Sequence, residues 1–86
     1  MLQGSAIYRV EPEYPSEARR RRVSGQVIVE VQVDECGRVS DARALKGHSD
    51  LIDGAVKAAR QWRFTRSRLA GRPVKVIGTI VFNFNL

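Results

Sequence analysis

Residues 25–45, GQVIVEVQVDECGRVSDARAL, carry the strongest local pattern in the chain. Val27, Val29, Val31 and Val33 alternate with Gln26, Ile28, Glu30 and Gln32, a period of two that buries one face of a strand. Asp34 to Gly37 interrupt the pattern, and Gly37 supplies the positive φ that tight turns often need. Val39, Ala42 or Arg43, and Leu45 continue as a second, weaker strand. The stretch is a β-hairpin, and the rest of the chain has to cover its apolar face.

Residues 47–64, GHSDLIDGAVKAARQWRF, carry the cover. Leu51, Ile52, Ala55, Ala58, Ala59 and Trp62 recur at helical spacing and form one apolar stripe. Ser49 is placed as the N-cap. Asp50 and Asp53 lie at the positive end of the helix dipole, Arg60 and Arg63 at the negative end. Gly54 inside this helix costs on the order of 1 kcal/mol relative to alanine, so it calls for a close neighbour. Upstream, EPEYPSEARRRRVSG holds the chain extended through Pro12 and opens a short helix at Pro15, ended by Gly25. Ala18, Val23 and Tyr14 face inward there, while Arg19, Arg20, Arg21 and Arg22 fan outward.

TRSRLAGRP, residues 65–73, reads as a loop, and Val74 to Leu86 as one long final strand. Val74, Val76, Ile80, Phe82 and Phe84 make its core face; Ile77, Thr79, Val81, Asn83 and Asn85 make the other. Gly78 is the place for a bulge or a close backbone approach. The order helix, strand, strand, helix, strand defines an α+β two-layer sandwich: a three-stranded antiparallel sheet with two helices on one face. The first strand is central and the last lies at an edge. Residues 1–10 read as a linker or cloning remnant, and 11–86 as one domain.

That last strand poses a question. Edge strands are normally guarded by lysine, proline or a kink, because their unpaired N–H and C=O groups recruit other chains. Pro73 and Lys75 guard only its beginning, and nothing charged follows.

Composition narrows the function. The 86 residues are 43% hydrophobic and 28% charged, which is a globular balance. No apolar run approaches the roughly 20 residues that cross a bilayer. One cysteine, Cys36, allows no internal disulfide. The only histidine, His48, sits beside Ser49 and Asp50 in a helix-start sequence, where neighbours in sequence cannot form a nucleophilic triad. Cys36 and His48 are too few for zinc, DECGRVSD lacks the spaced ligands of a calcium loop, and no glycine-rich phosphate cradle occurs. An enzyme, a metal site and a cofactor are all unexpected.

The net charge of +6 is uneven. Arg60, Arg63, Arg66, Arg68, Arg72 and Lys75 form one block without an acid, and Arg19 to Arg22 a second. Such blocks are either a solvated surface or a patch for nucleic acid, anionic lipid, acidic wall polymer or an acidic protein. Base stacking requires exposed aromatics, and Trp62, Phe82 and Phe84 fall on core faces, so nucleic acid is disfavoured.

Taken in order, Tyr14-Pro15, Ala18, Gly25-Gln26-Val27, the Asp34–Gly37 turn, Trp62-Arg63-Phe64 and the apolar strand through Phe84 resemble the C-terminal domain of the TonB family of energy transducers. The likeness covers about residues 11–86, and its fold is of the TonB/TolA C-terminal type. It implies a periplasmic domain of a parent anchored in the inner membrane of a Gram-negative bacterium. That parent would associate with ExbB and ExbD through an N-terminal part outside these residues. The domain would bind the extended TonB box of an outer-membrane receptor by β-strand addition and pass on force drawn from the proton gradient. The contacts implied are Glu13, Tyr14 and Pro15, with the edge strand at Val76, Ile77, Thr79, Val81 and Asn83. Glu11 and Glu13 stand where close family members often have glutamines, which favours boxes with basic flanks. Cys36 replaces the usual proline or acid of the turn.

Strand exchange between two copies is a further expectation at such an edge. The alternatives from other classes are an envelope module binding peptidoglycan through Arg19, Arg20, Arg21, Arg22, Arg63 and Arg66, and an interaction domain fused to a sensor or protease.

Overall fold

The alternating valines bury as the pattern requires: Val27, Val29, Val31 and Val33 are closed to solvent, while Gln26 and Gln32 are exposed. In the computed structural model, which describes residues 3–86, a 3-10 turn (Gln3–Ser5) precedes β1 (Ala6–Tyr8) and α1 (Ser16–Arg20). There follow β2 (Gly25–Val33), β3 (Val39–Lys46), α2 (Ser49–Arg60), β4 (Arg63–Phe64), β5 (Ser67–Leu69), β6 (Arg72–Val74) and β7 (Val76–Phe84). The main sheet has the order β3-β2-β7 and is antiparallel throughout. The first long strand is therefore central and the last is marginal, as the sequence predicts.

α2 lays Leu51, Ala55, Ala58 and Ala59 on the sheet, all buried, against Ile80, Phe82 and Phe84 of β7 and the β2 valines. Three alanines in that stripe keep the helix near the strands, and Trp62 and Phe64 close the end of the core. α1 adds Ala18, fully buried.

Several local expectations give way to the structure, each for a physical reason. His48, not Ser49, is the N-cap of α2: its backbone is extended and its Nδ1 accepts from the Asp50 N–H at 3.0 Å. An imidazole acceptor there does what a serine hydroxyl would do. α1 is stopped by Arg22 rather than Gly25. Arg22 takes a left-handed φ of 56°, its N–H donates to the Arg19 carbonyl, and the Val23 N–H donates to the Ala18 carbonyl at 2.8 Å. Those two bonds form a Schellman turn with arginine where glycine is usual. Residues 67–74 are not a loop but a hairpin, β5 paired with β6 across Ala70 (φ 52°) and Gly71 (φ 78°). Two successive positive φ values give the turn that matches strand twist, and alanine in the first position hid it. The final strand accordingly breaks at Lys75. Gly78 makes no bulge, since β2 and β7 stay in register from Gly25↔Phe84 to Val33↔Val76; the irregularities lie between β2 and β3. Gly54 has its close neighbour: an added Cβ would come 2.7 Å from the Glu13 carbonyl oxygen.

The turn after β2 is organised by one carboxylate. Asp34 Oδ1 accepts from the Cys36 and Arg38 N–H groups, both at 2.9 Å. The Arg38 backbone bond chiefly holds the Asp34 pKa below the usual carboxylate value, with the Cys36 bond and the Arg38 and Arg63 charges acting in the same direction against desolvation. A depressed folded-state pKa stabilises the fold above the unfolded-state value, and that contribution is lost as pH falls through the folded-state value. Asp34→Asn is therefore less stable than the parent near neutral pH, and the gap narrows as pH falls below about 4 and closes below the depressed folded-state value. Urea unfolding at the two pH values measures this; a gap independent of pH would remove the ionic contribution.

Candidate partner-binding edge

β7 is paired with β2 along one side, and among the described residues no other strand is paired with it. Its side chains divide as the alternation predicts. Ile80, Phe82 and Phe84 are buried and Val76 packs partly against the core. Ile77 is 66% exposed, Asn83 is exposed, and Thr79 and Val81 are half-buried. Ile77, Thr79, Val81 and Asn83 lie opposite Gln32, Glu30, Ile28 and Gln26 of β2 on the face away from the helices. The Gln26 amide also donates to Asn83 Oδ1 at 3.3 Å.

The second group, Glu13, Tyr14 and Pro15, belongs to an extended strap of residues 9–15 that crosses the helix side of the domain. Tyr14 is its anchor. Its hydroxyl donates to the Val23 carbonyl, and its ring meets Phe84 edge-on with centroids 5.5 Å apart. The Arg19 guanidinium lies over the same ring at 5.5 Å. Pro15 and Glu13 flank a cleft of about 360 Å³ against Asp53, Gly54 and Lys57 of α2. Through the Tyr14–Phe84 contact the strap thus meets β7, the strand that carries the first group.

It also brings in residues that sequence reasoning missed. Trp62 Nε1 donates to the Val10 carbonyl at 2.8 Å, and the Arg9 guanidinium lies 5.8 Å from the indole centroid. Arg9 to Pro12 then line a second cleft of about 300 Å³ with Trp62 and residues Val81 to Asn83 of β7. The strap is consequently a neighbour of the outer half of β7. The sequence signal for the strap is the lone tryptophan at the end of a helical stripe, whose indole N–H needs a partner even in the core. Before Val10, β1 pairs with β4 (Ala6↔Phe64, Tyr8↔Arg63), so the opening segment contributes a short strand of its own.

The two arginine blocks do not converge. Arg19 to Arg22 lie by the Gly25↔Phe84 end of the sheet, whereas Arg66 leads into the hairpin at the Val33↔Val76 end. The nine residues of β2 hold these ends apart, about 27 Å at strand rise. Within the first block, Arg20 pairs with Glu17 at 2.7 Å, and Arg21 lies 3.6 Å from Glu17 and 3.8 Å from Asp50. Arg63 is exposed and bridged to Arg38 through the backbone. Among the described residues no cluster of His, Cys, Asp or Glu could hold a metal ion, and Cys36 is an exposed thiol.

These features define a small α+β domain with a marginal antiparallel strand flanked by a tethered strap. Residues 10–86 match the family model described as Gram-negative bacterial TonB protein C-terminal. A TonB protein of Xanthomonas campestris pv. campestris is 36% identical over 77 residues, 87% of this chain and 34% of that protein. One of Klebsiella pneumoniae is 36% identical over 83 residues, 93% of this chain and 32% of that protein. The solution NMR structure of the Pseudomonas aeruginosa TonB CTD superimposes with a TM-score of 0.71 at 30% identity, covering 94% of this chain and 84% of that one. The chain belongs to the TonB C-terminal domain family. It spans about a third of the length of these relatives. TonB proteins are energy transducers of transport rather than enzymes, and their C-terminal domain is periplasmic.

Proposed function

We propose that the domain binds the extended TonB box of an outer-membrane receptor as an added strand on β7. In this reading the parent protein is anchored in the inner membrane and carries force from ExbB and ExbD to that strand. The observation that carries the reading is β7 itself: nine residues long, in continuous register with β2, and, among the described residues, paired with no strand other than β2. An edge of this kind takes an incoming peptide through backbone bonds, with side-chain pockets setting preference. Each bond contributes about 0.5–1.5 kcal/mol net, so several are needed to exceed the ordering cost of the peptide. Bonds spread along nine residues are loaded together when the peptide is pulled lengthwise, which suits a grip under tension.

The Val76–Thr79 half of β7 is where the guest strand starts, and the strap beside Val81 to Asn83 is its neighbour at the other end. Glu13, Tyr14 and Pro15 then contribute through the strap, with Glu11 and Glu13 drawing basic residues that flank the box. The peptidoglycan reading is weakened by the separation of the two arginine blocks and by the pairing of Arg20 and Arg21 with their own acids.

Strand addition makes a prediction that requires no change to the protein. Methylating the backbone nitrogens of a box peptide one at a time weakens binding at every second residue, by about tenfold for each lost bond, and spares the residues between. Calorimetric titration of the peptide series measures this. A flat profile, or one that follows side-chain size, would rule the edge mechanism out.

A further inference from the structure

We propose that the β5–β6 hairpin is a docking arm for an anionic phospholipid surface. β5 and β6 pack chiefly on each other, and β6 joins β7 through Lys75 alone, so the arm continues off the end of the main sheet. The molecule is correspondingly long, 49 Å against 20 and 17 Å. Arg66, Arg68, Arg72 and Lys75 are all exposed, and among the described residues none of them pairs with a carboxylate, unlike Arg20, Arg21, Arg43 and Arg60. Arg68 is used only to hold the turn, donating to the Gly71 carbonyl at 3.3 Å.

Charge alone would suit any polyanion. The arm also presents Leu69, 71% exposed, next to the Ala70–Gly71 turn. Leu69 and Arg72 are opposite each other and share a face; Arg68 and Pro73 share the other. At the root, β1 leaves Ile7 68% and Tyr8 58% exposed beside Arg63. A leucine at the tip with Arg68 and Arg72 beside it, and apolar groups at the root next to Arg63, match a bilayer interface, where apolar groups enter the headgroup boundary and cations meet phosphates. A hydrated wall polymer offers nothing to an exposed leucine. The inference is independent of what β7 binds, because the arm forms neither cleft beside the strap.

Flotation of the 86-residue chain with phosphatidylcholine vesicles, with and without phosphatidylglycerol, tests it. The chain is expected to float with the mixed vesicles and not with the neutral ones. Arg68→Gln with Arg72→Gln reduces partition about twenty-five-fold, about fivefold for each lost cation. Arg20→Gln with Arg21→Gln makes the same change of net charge at the opposite end and reduces partition by less than about threefold. Leu69→Ser, which leaves the charge intact, lowers it by about fivefold. Far-ultraviolet circular dichroism verifies that each variant is folded. Equal losses in the two arginine pairs, full binding by Leu69→Ser, or retention on purified peptidoglycan without vesicle binding would each overturn the proposal.

Discussion

Gly37→Ala lowers the unfolding free energy by about 3 kcal/mol or more, and the cause lies in two places at once. Gly37 holds a φ of 84°, which an L side chain adopts at a cost of about 1–2 kcal/mol. A Cβ built there would also stand 2.1 Å from the Phe64 carbonyl oxygen, far inside contact distance. Relief requires the hairpin turn to leave the 63–64 segment, which breaks the 2.8 Å bond from the Phe64 N–H to the Gly37 carbonyl and the Arg38–Arg63 bridge. The comparison that isolates the collision is Gly71→Ala. Its φ of 78° is similar, but nothing stands within 4 Å of the added Cβ, so only the backbone cost of about 1–2 kcal/mol remains. Thermal or urea unfolding of both variants decides the matter: equal losses would mean that the turn gives way freely. At about 4–8 °C for each kcal/mol, Gly37→Ala melts at least about 12 °C lower than the parent.

Trp62→Ala is the second large effect, about 3–5 kcal/mol, a large share of the roughly 5–15 kcal/mol that holds a domain together. Trp62 is 5% exposed and packs edge-on to Phe82 at 5.7 Å and tilted against Phe64 at 6.0 Å. The substitution also removes the donor to the Val10 carbonyl, so the strap loses its tie to the core. Trp62→Phe separates the two roles. It preserves most of the ring packing and leaves the carbonyl without its partner, for a loss of about 1–2 kcal/mol. Urea unfolding gives both numbers, and similar losses in the two variants would place the whole contribution in the hydrogen bond.

The sheet was legible because alternation is a long-range constraint written locally. Val27 to Val33 fix one face over seven residues of β2, and Ile80, Phe82 and Phe84 repeat the rule in β7. The helices were legible in position but less so at their ends. His48 replaces the expected serine as a cap, and Arg22 takes a backbone conformation normally left to glycine, so terminal chemistry defeated residue preference. The β5–β6 hairpin was missed because its turn is Ala-Gly, without an Asn or Asp to mark it. At the candidate edge, the outward residues of β7 could be read from the sequence. The strap could not, because the Trp62–Val10 bond joins residues 52 positions apart and leaves no periodic trace. The helix cost of Gly54 implies a close neighbour, but only the fold identifies it as the Glu13 carbonyl.

The indole that tethers the strap is the chain's single tryptophan. Its fluorescence therefore reports one event without any label: as long as Val10 stays docked the emission is that of a dry, hydrogen-bonded ring, and undocking lets water in and moves it to the red. Because the indole also lines the cleft beside Val81 to Asn83, the docking of the strap there can be followed in real time, in a cuvette, while a ligand is added.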